Sequence, residues 1–187
     1  KGKTKFINGK HIMRVRNKYK KLRANLQAKG TKSAKRRLKK IGQRENRWMT
    51  DVNHQISKTL VNFYGDNTLF VLEDLTNVTF ETTNHRKKEN RYEHNSWAFY
   101  QLEQFLIYKA KLNNCKVVEV EAQYTSQRCV KCGRINKANR NHDLHLYQCD
   151  RCDYSTNDDR IAAMNIQYLG TQYVSGVDNP KFIKIEQ

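Results

Sequence analysis

The feature that most restricts this fold is a matched pair of cysteine knuckles, Cys129-x-x-Cys132 and Cys149-x-x-Cys152, set 16 residues apart. Paired CxxC knuckles bring four thiolates to one tetrahedral ion, and this spacing follows the zinc-ribbon pattern. Gly133, just after the first knuckle, suits the tight turn such a loop needs. Four cysteines complete the coordination sphere, so a zinc ion here is structural and holds no catalytic water. It would fold a segment that has little core of its own. His142 and His145, inside the ribbon loop, read as surface polar residues because the zinc already has four ligands. The fifth cysteine, Cys115, opens an apolar run and reads as a small buried hydrophobe. Five cysteines so arranged point to metal binding in a reducing compartment rather than to a disulfide framework.

Charge divides the chain sharply. Of 36 Lys+Arg and 18 Asp+Glu, residues 1–50 hold 19 basic residues and a single acid, Glu45. The remainder is balanced. A block that basic needs a polyanion or a counter-surface, and nucleic acid is the natural partner. No run of 18 apolar residues exists, which excludes a helical membrane span, and residues 1–30 lack the apolar region of a secretory signal. At 187 residues and 37% hydrophobic content the chain can bury a real core in one or two domains.

Residues 11–28 place Ile12, Val15, Tyr19, Leu22 and Leu26 on one helical stripe, with basic residues on the other faces. Gly30 and Thr31 end it. A second helix is expected from about Ser33, with Gly42 as a possible break, packed through Trp48, Val52, Ile56 and Leu60 at steps of four. Thr68–Leu72 reads as a buried strand that delivers Glu73 and Asp74 at its C-terminal end. Residues 76–95 read as a polar loop. Ser96 is placed to cap a helix running to Leu112, packed by Trp97, Tyr100, Leu102, Phe105, Leu106 and Ala110. Cys115–Val120 reads as a second strand, and a short helix spans about Arg160–Leu169. The tail from Gly170 has no assignment.

Three groups of side chains carry possible chemistry beyond the ribbon. Glu73 at a strand end and Asp158-Asp159 at a helix start are ordinary places for acids. They gain meaning as a shared site for hard cations, since two Mg²⁺ ions held by converging carboxylates cleave phosphodiesters. The basic residues Lys18, Lys21, Arg23, Lys32, Lys35, Arg36, Arg37 and Lys39 are candidates for phosphate contacts, as are Arg128 and Lys131 beside the first knuckle. Tyr124, Tyr147 and Tyr154 either stack on exposed bases or pack the ribbon core.

The ordered set Phe70-Val-Leu-Glu73-Asp-Leu, Tyr124-Thr-Ser-Gln-x-Cys129-x-x-Cys132-Gly, Cys149-x-x-Cys152 and Asp158-Asp159-x-x-Ala-Ala-Met-Asn-Ile resembles the C-terminal half of TnpB. TnpB proteins are RNA-guided DNA nucleases of insertion sequences, and compact type V CRISPR effectors look similar. Lys29–Leu38 and Asp51–Lys58 also look like that family's helical region, so the resemblance runs from about residue 10 to 169. It implies an α/β fold: a RuvC-like, RNase H-like nuclease domain with basic helices and an inserted four-cysteine zinc ribbon. The implied division is a basic helical region (1–65), the RuvC-like core (66–122), a target-binding ribbon (123–156), the final RuvC-like helix (157–170) and a tail (171–187). It implies Zn²⁺ in the ribbon and catalytic Mg²⁺ on Glu73 and Asp159, with Asp158 as the neighbour. The implied partners are guide RNA and target DNA, without a membrane, in the cytoplasm and nucleoid of a bacterium or archaeon.

Two departures from the family's pattern shape the expectation. Ile161 stands where the pattern has Asn, so a polar contact is missing. The family's first catalytic aspartate lies on a strand upstream of the basic helices, and Lys1–His11 contains no Asp or Glu. The nuclease domain is therefore expected to be incomplete, to need the missing N-terminal part of the same protein, and not to cut DNA alone. The competing expectation is a non-catalytic nucleic-acid-binding protein, a shortened relative acting as a repressor or accessory subunit. A strand-joining transposase uses the same metal chemistry and is the third.

Overall fold

A computed structural model describes residues 4–74 and 98–184. The loop expected over 76–95, the cap at Ser96 and the packing of Trp97 lie outside the described residues. The described chain divides into two compact units, each treated by itself.

The first unit is helical. Helix α1 spans Lys10–Lys29 and stops at Gly30, whose φ of 62° is left-handed and whose N–H donates to the Gln27 carbonyl. Thr31 then caps α2, Lys32–Tyr64, by accepting from the Ala34 N–H at 3.2 Å. Gly42 does not break this helix, which is continuous over 33 residues and so about 50 Å long. A single interior glycine costs only about 1 kcal/mol, which packing on both sides of it outweighs. Helix α3 spans Phe99–Leu112.

The buried positions of α2 are Ala34, Ile41, Glu45, Met49, Asn53, Ser57 and Val61. Trp48, Val52, Ile56 and Leu60, expected at the centre of the stripe, are half-buried flanks one position away. From Ile41 onward the buried residues step by four. Each such step drifts about 40° around a helix with 3.6 residues per turn, so the stripe winds. The first half faces α1, through a cluster of Leu26, Ala34 and Ile41 flanked by Tyr19 and Leu38. The second half faces α3. There the contact is polar: Asn53 Nδ2 donates to the Ala98 carbonyl (3.1 Å) and to Gln101 Oε1 (3.0 Å), and Gln101 Nε2 donates to Thr50 Oγ1 (3.1 Å). Lys109 Nζ donates to the His54 carbonyl (2.6 Å) and to Ser57 Oγ (2.7 Å). Burial and the neighbouring Lys58 hold the Lys109 ammonium below the usual lysine range. Tyr100, expected in the packing, is 74% exposed, and Leu22 of α1 also faces solvent.

The second unit is mixed. Strands β1 (Leu69–Asp74) and β2 (Lys116–Glu121) pair in parallel, with Glu73 opposite Val120. Three short antiparallel strands, β3 (Arg140–Asn141), β4 (Leu146–Gln148) and β5 (Ser155–Asn157), form the ribbon sheet in that order. Helix α4 runs Asp158–Val174, longer than the sequence pattern indicated. It packs on β1 at Gly170, where an added Cβ would collide with Val71. Its Leu169 joins Val120 and Phe182 in a core flanked by Val71, Tyr124, Ile135 and Ile166. The tail thus contributes Phe182 to the interior.

Candidate metal centres and nucleic-acid surface

The ribbon builds its site from two equivalent turns. The Cys129 N–H donates to the Arg134 carbonyl (2.8 Å), and the Gly133 N–H returns to the Cys129 carbonyl (2.9 Å). The second knuckle repeats this with Cys149 to Tyr154 (2.9 Å) and Asp153 to Cys149 (3.1 Å). Gly133 and Asp153 occupy the same place in the two turns, both left-handed, with φ of 75° and 55°. The four Sγ atoms lie within 4.8 Å of one another, with Cys129–Cys152 and Cys132–Cys149 both at 3.6 Å. A tetrahedral Zn²⁺ with Zn–S of about 2.3 Å needs sulfurs about 3.8 Å apart, so the cluster fits that ion. Burial pushes the Cys129 thiol up to about 12 and raises Cys149. Desolvation acts on Cys132 too, but this cysteine is only half-buried, and the Arg134 backbone N–H and the neighbouring sulfurs bring its thiol down to about 7. Four such thiols cannot all ionise side by side without a cation among them.

Around the cluster the ribbon is closed by packing and amides. Cys129, Tyr147, Cys149 and Ile161 form its core, with Tyr154 against it. Tyr147 is fully buried, donates to the Gln127 carbonyl at 3.3 Å, and has its phenol pushed up to about 12 by burial. The stacking role open to Tyr147 in the sequence is therefore excluded. Ile161 fills this core, which is the physical reason for an apolar residue at that position. Asp150 accepts from Asn136 (2.8 Å), Asn139 (3.0 Å) and Arg134 (3.4 Å). The Asn139 and Asn136 hydrogen bonds, then Arg134, hold its carboxyl below the usual range.

Glu73 belongs to a second constellation. The Thr125 hydroxyl lies 2.6 Å from Glu73 Oε1 and 2.9 Å from the Ala122 carbonyl. Asn165, fully buried on α4, donates to the carbonyls of Thr125 and Arg128, both at 2.8 Å. Asn165 Oδ1 accepts from Arg128 Nη1 at 3.2 Å. Both the amino group and the carbonyl of that amide are used, and no sequence pattern signals this beyond the Asn in Ala-Ala-Met-Asn-Ile. Arg128 also lies over the rings of Phe182 (4.6 Å) and Tyr168 (5.0 Å). Tyr124 packs against the Val120–Leu169 core.

The two aspartates at the start of α4 differ in surroundings. Asn157 caps the helix, accepting from the N–H groups of Asp159 (3.0 Å) and Arg160 (3.2 Å). Asp158 is buried, with Arg140 Nε at 3.0 Å and His145 Nδ1 at 3.4 Å. The side chain of Asp159 is 56% exposed and lies 3.7 Å from Arg140 Nη2. His142 and His145 are exposed, as expected, but both stand within 4.0 Å of Asp158. His145, Asp158 and Asp159 offer ligand atoms within 4.8 Å of one another; Glu73 stands outside this group. The Arg140 guanidinium already supplies the positive charge there.

On the helical unit, Lys18, Lys21, Lys32, Lys35, Arg36, Arg37 and Lys39 are exposed, and so is Lys131 on the ribbon. Arg23 is turned inward: with Arg16 it pairs with Glu45, whose side chain is 4% exposed. The single acid of residues 1–50 is thus a buried anchor between α1 and α2, a role its isolation among basic residues could have signalled. Among the described residues no helix is long and apolar enough to cross a membrane.

Comparison with known proteins agrees with the ordered motifs. The family model of the Cas12f1-like TNB domain matches residues 99–166. The chain is 35% identical over 145 residues to the CRISPR-associated endodeoxyribonuclease Cas12f1 of Sulfoacidibacillus thermotolerans, covering 74% of this chain and 32% of that protein. It is 30% identical over 183 residues to the TnpB-like protein MJ0751 of Methanocaldococcus jannaschii, covering 96% of this chain and 64% of that protein. The chain therefore spans about a third to two thirds of the length of these relatives. A Cas12f1–sgRNA–target DNA complex shares the fold, with a TM-score of 0.67 at 17% identity over 88% of this chain and 44% of that one. Motif order, sequence likeness and fold together make the chain a relative of TnpB and the compact type V CRISPR effectors.

Proposed function

We propose that this chain is the nuclease lobe of an RNA-guided DNA endonuclease, a RuvC-like domain with its zinc ribbon. Glu73 and Asp159 are its Mg²⁺ ligands, and a third carboxylate comes from elsewhere in the full protein. Mg²⁺ on such carboxylates activates water and stabilises the leaving oxygen in phosphodiester hydrolysis. The observation that carries this reading is the link between the two acids. Glu73 on β1 is joined through Thr125 to Asn165, six residues along the helix that begins with Asp158 and Asp159. Six residues are about 9 Å of helix, so a short path through Thr125 and Asn165 connects the strand that carries Glu73 with the helix that carries Asp159, which supports this reading. Cys129, Cys132, Cys149 and Cys152 hold Zn²⁺, and the ribbon guides the DNA strand. The exposed lysines and arginines of α1 and α2 contact the backbone of guide RNA or heteroduplex, while base pairing supplies sequence recognition.

The test is target cleavage by the full-length protein that contains this lobe. Glu73→Gln and Asp159→Asn should each lower cleavage by at least about 1,000-fold while guide binding persists, because a two-metal site fails without its ligands. Cleavage retained in either variant sinks the assignment. These 187 residues alone should not cut single-stranded DNA with Mg²⁺, and turnover above a Glu73→Gln control would refute that.

A second reading has one observation in its favour. Arg140 stands 3.7 Å from Asp159 and partly neutralises it without a metal, as a non-catalytic nucleic-acid-binding relative would allow. Guided binding without cleavage by the full-length protein would select it.

A further inference from the structure

Thr125 is 2% exposed, so its hydroxyl meets neither solvent nor a ligand directly. That hydroxyl has one proton and two oxygens within reach, Glu73 Oε1 at 2.6 Å and the Ala122 carbonyl at 2.9 Å. An ionised carboxylate is the stronger acceptor, so the proton goes to Glu73. The Thr125 backbone is itself held, because Asn165 Nδ2 binds its carbonyl at 2.8 Å and binds the Arg128 carbonyl at the same distance. One amide of α4 thus clamps both ends of the turn that precedes Cys129. Partners that orient a ligating carboxylate govern metal affinity nearly as strongly as the ligand does.

We propose that Thr125 is a positioning residue for Glu73: its hydroxyl holds Oε1 and leaves the other oxygen for a divalent cation, while Asn165 fixes Thr125. The inference rests on the reading of Glu73 as a metal ligand. It adds that the root of the ribbon and the carboxylate share one clamp.

Mn²⁺ binding to the zinc-loaded full-length protein that contains this lobe, followed by the loss of the free-ion EPR signal, tests this. Zinc content and thermal midpoint are measured on the same samples. Wild type should bind Mn²⁺, and Glu73→Gln should lose that binding. Thr125→Val keeps the shape and removes the hydroxyl; it should weaken Mn²⁺ by about tenfold, whereas Thr125→Ser should stay within about twofold of wild type. Unchanged zinc content and midpoint in Thr125→Val, with the hydroxyl-bearing serine restoring affinity, separate positioning from mere stability. Wild-type affinity in Thr125→Val, beside a loss in Glu73→Gln, overturns the role of Thr125 and leaves Glu73 standing. Absence of wild-type binding, or wild-type affinity in Glu73→Gln, removes the carboxylate reading and this inference with it.

Discussion

The ribbon and the α1–α2 hairpin solve the same electrostatic problem with opposite signs. In the ribbon, four groups that become anions crowd within 4.8 Å and call for one cation. In the hairpin, two arginines of α1, Arg16 and Arg23, close on one anion, Glu45. The difference lies in what each region can do without its counter-charge. The ribbon has a core of four buried residues, two of them cysteines of the cluster, and little else to hold it without a cation. The hairpin has helical hydrogen bonds and the Leu26–Ala34–Ile41 cluster, so Glu45 adds to a structure that has other support.

The largest expected effect breaks the comparison on the ribbon side. Zinc in such a segment contributes about 10 kcal/mol or more, so chelation or Cys149→Ser should unfold the ribbon outright. Amide NMR signals of residues 123–156 should collapse while the far-UV helical signal persists; a ribbon that keeps its dispersion without zinc would contradict the metal assignment. Next comes Glu45→Ala. Removing one partner of a buried ion cluster costs about 3–5 kcal/mol, and the partial exposure of Arg16 and Arg23 brings this nearer 2–3. Urea unfolding measures it. Glu45→Met together with Arg16→Met and Arg23→Leu should recover most of the loss, because an apolar cluster can replace a buried triad. Raising NaCl from about 0.05 to 0.5 M should then stabilise the helical unit by about 1 kcal/mol and leave the ribbon nearly unmoved, since salt screens exposed like charges but hardly a buried thiolate cluster. The smallest effect distinguishes the two knuckles. Asp153→Gly should stabilise the zinc-bound ribbon by a few tenths to about 1 kcal/mol, and Gly133→Ala should cost about as much, because both positions are left-handed. Thermal midpoints at fixed zinc concentration report both.

The sequence exposes some of this directly and hides the rest for physical reasons. Knuckle spacing is a local constraint, so the ribbon was legible from four cysteines. The stripe on α2 was legible as a period but not as a phase. Trp48, Val52, Ile56 and Leu60 and their neighbours Met49, Asn53, Ser57 and Val61 share the step of four. Hydrophobicity chose the first set, yet the Ala98 carbonyl and the Gln101 amide meet Asn53, and the Lys109 ammonium meets Ser57. Those partners come from 45 to 52 residues away, beyond any local pattern. Asn165 is invisible in the same way, since its partners Thr125 and Arg128 lie 40 and 37 residues off. Glu73 and Asp159 were legible as candidates through a family resemblance rather than through composition.

The winding of the buried stripe along α2 has a consequence for how this protein can change in length. Its two halves address α1 and α3 from different directions, and a rigid helix fixes the angle between them. Adding or deleting one residue between Glu45 and Asn53 would turn one half against the other by about 100°, and either the Glu45 cluster or the Asn53 contacts would lose their partners. An insertion of seven residues turns it by only about 20°, and eleven by about the same in the other sense. Lineages that lengthen this helix should therefore do so in steps of seven or eleven, and single-residue indels should be confined to the loops on either side.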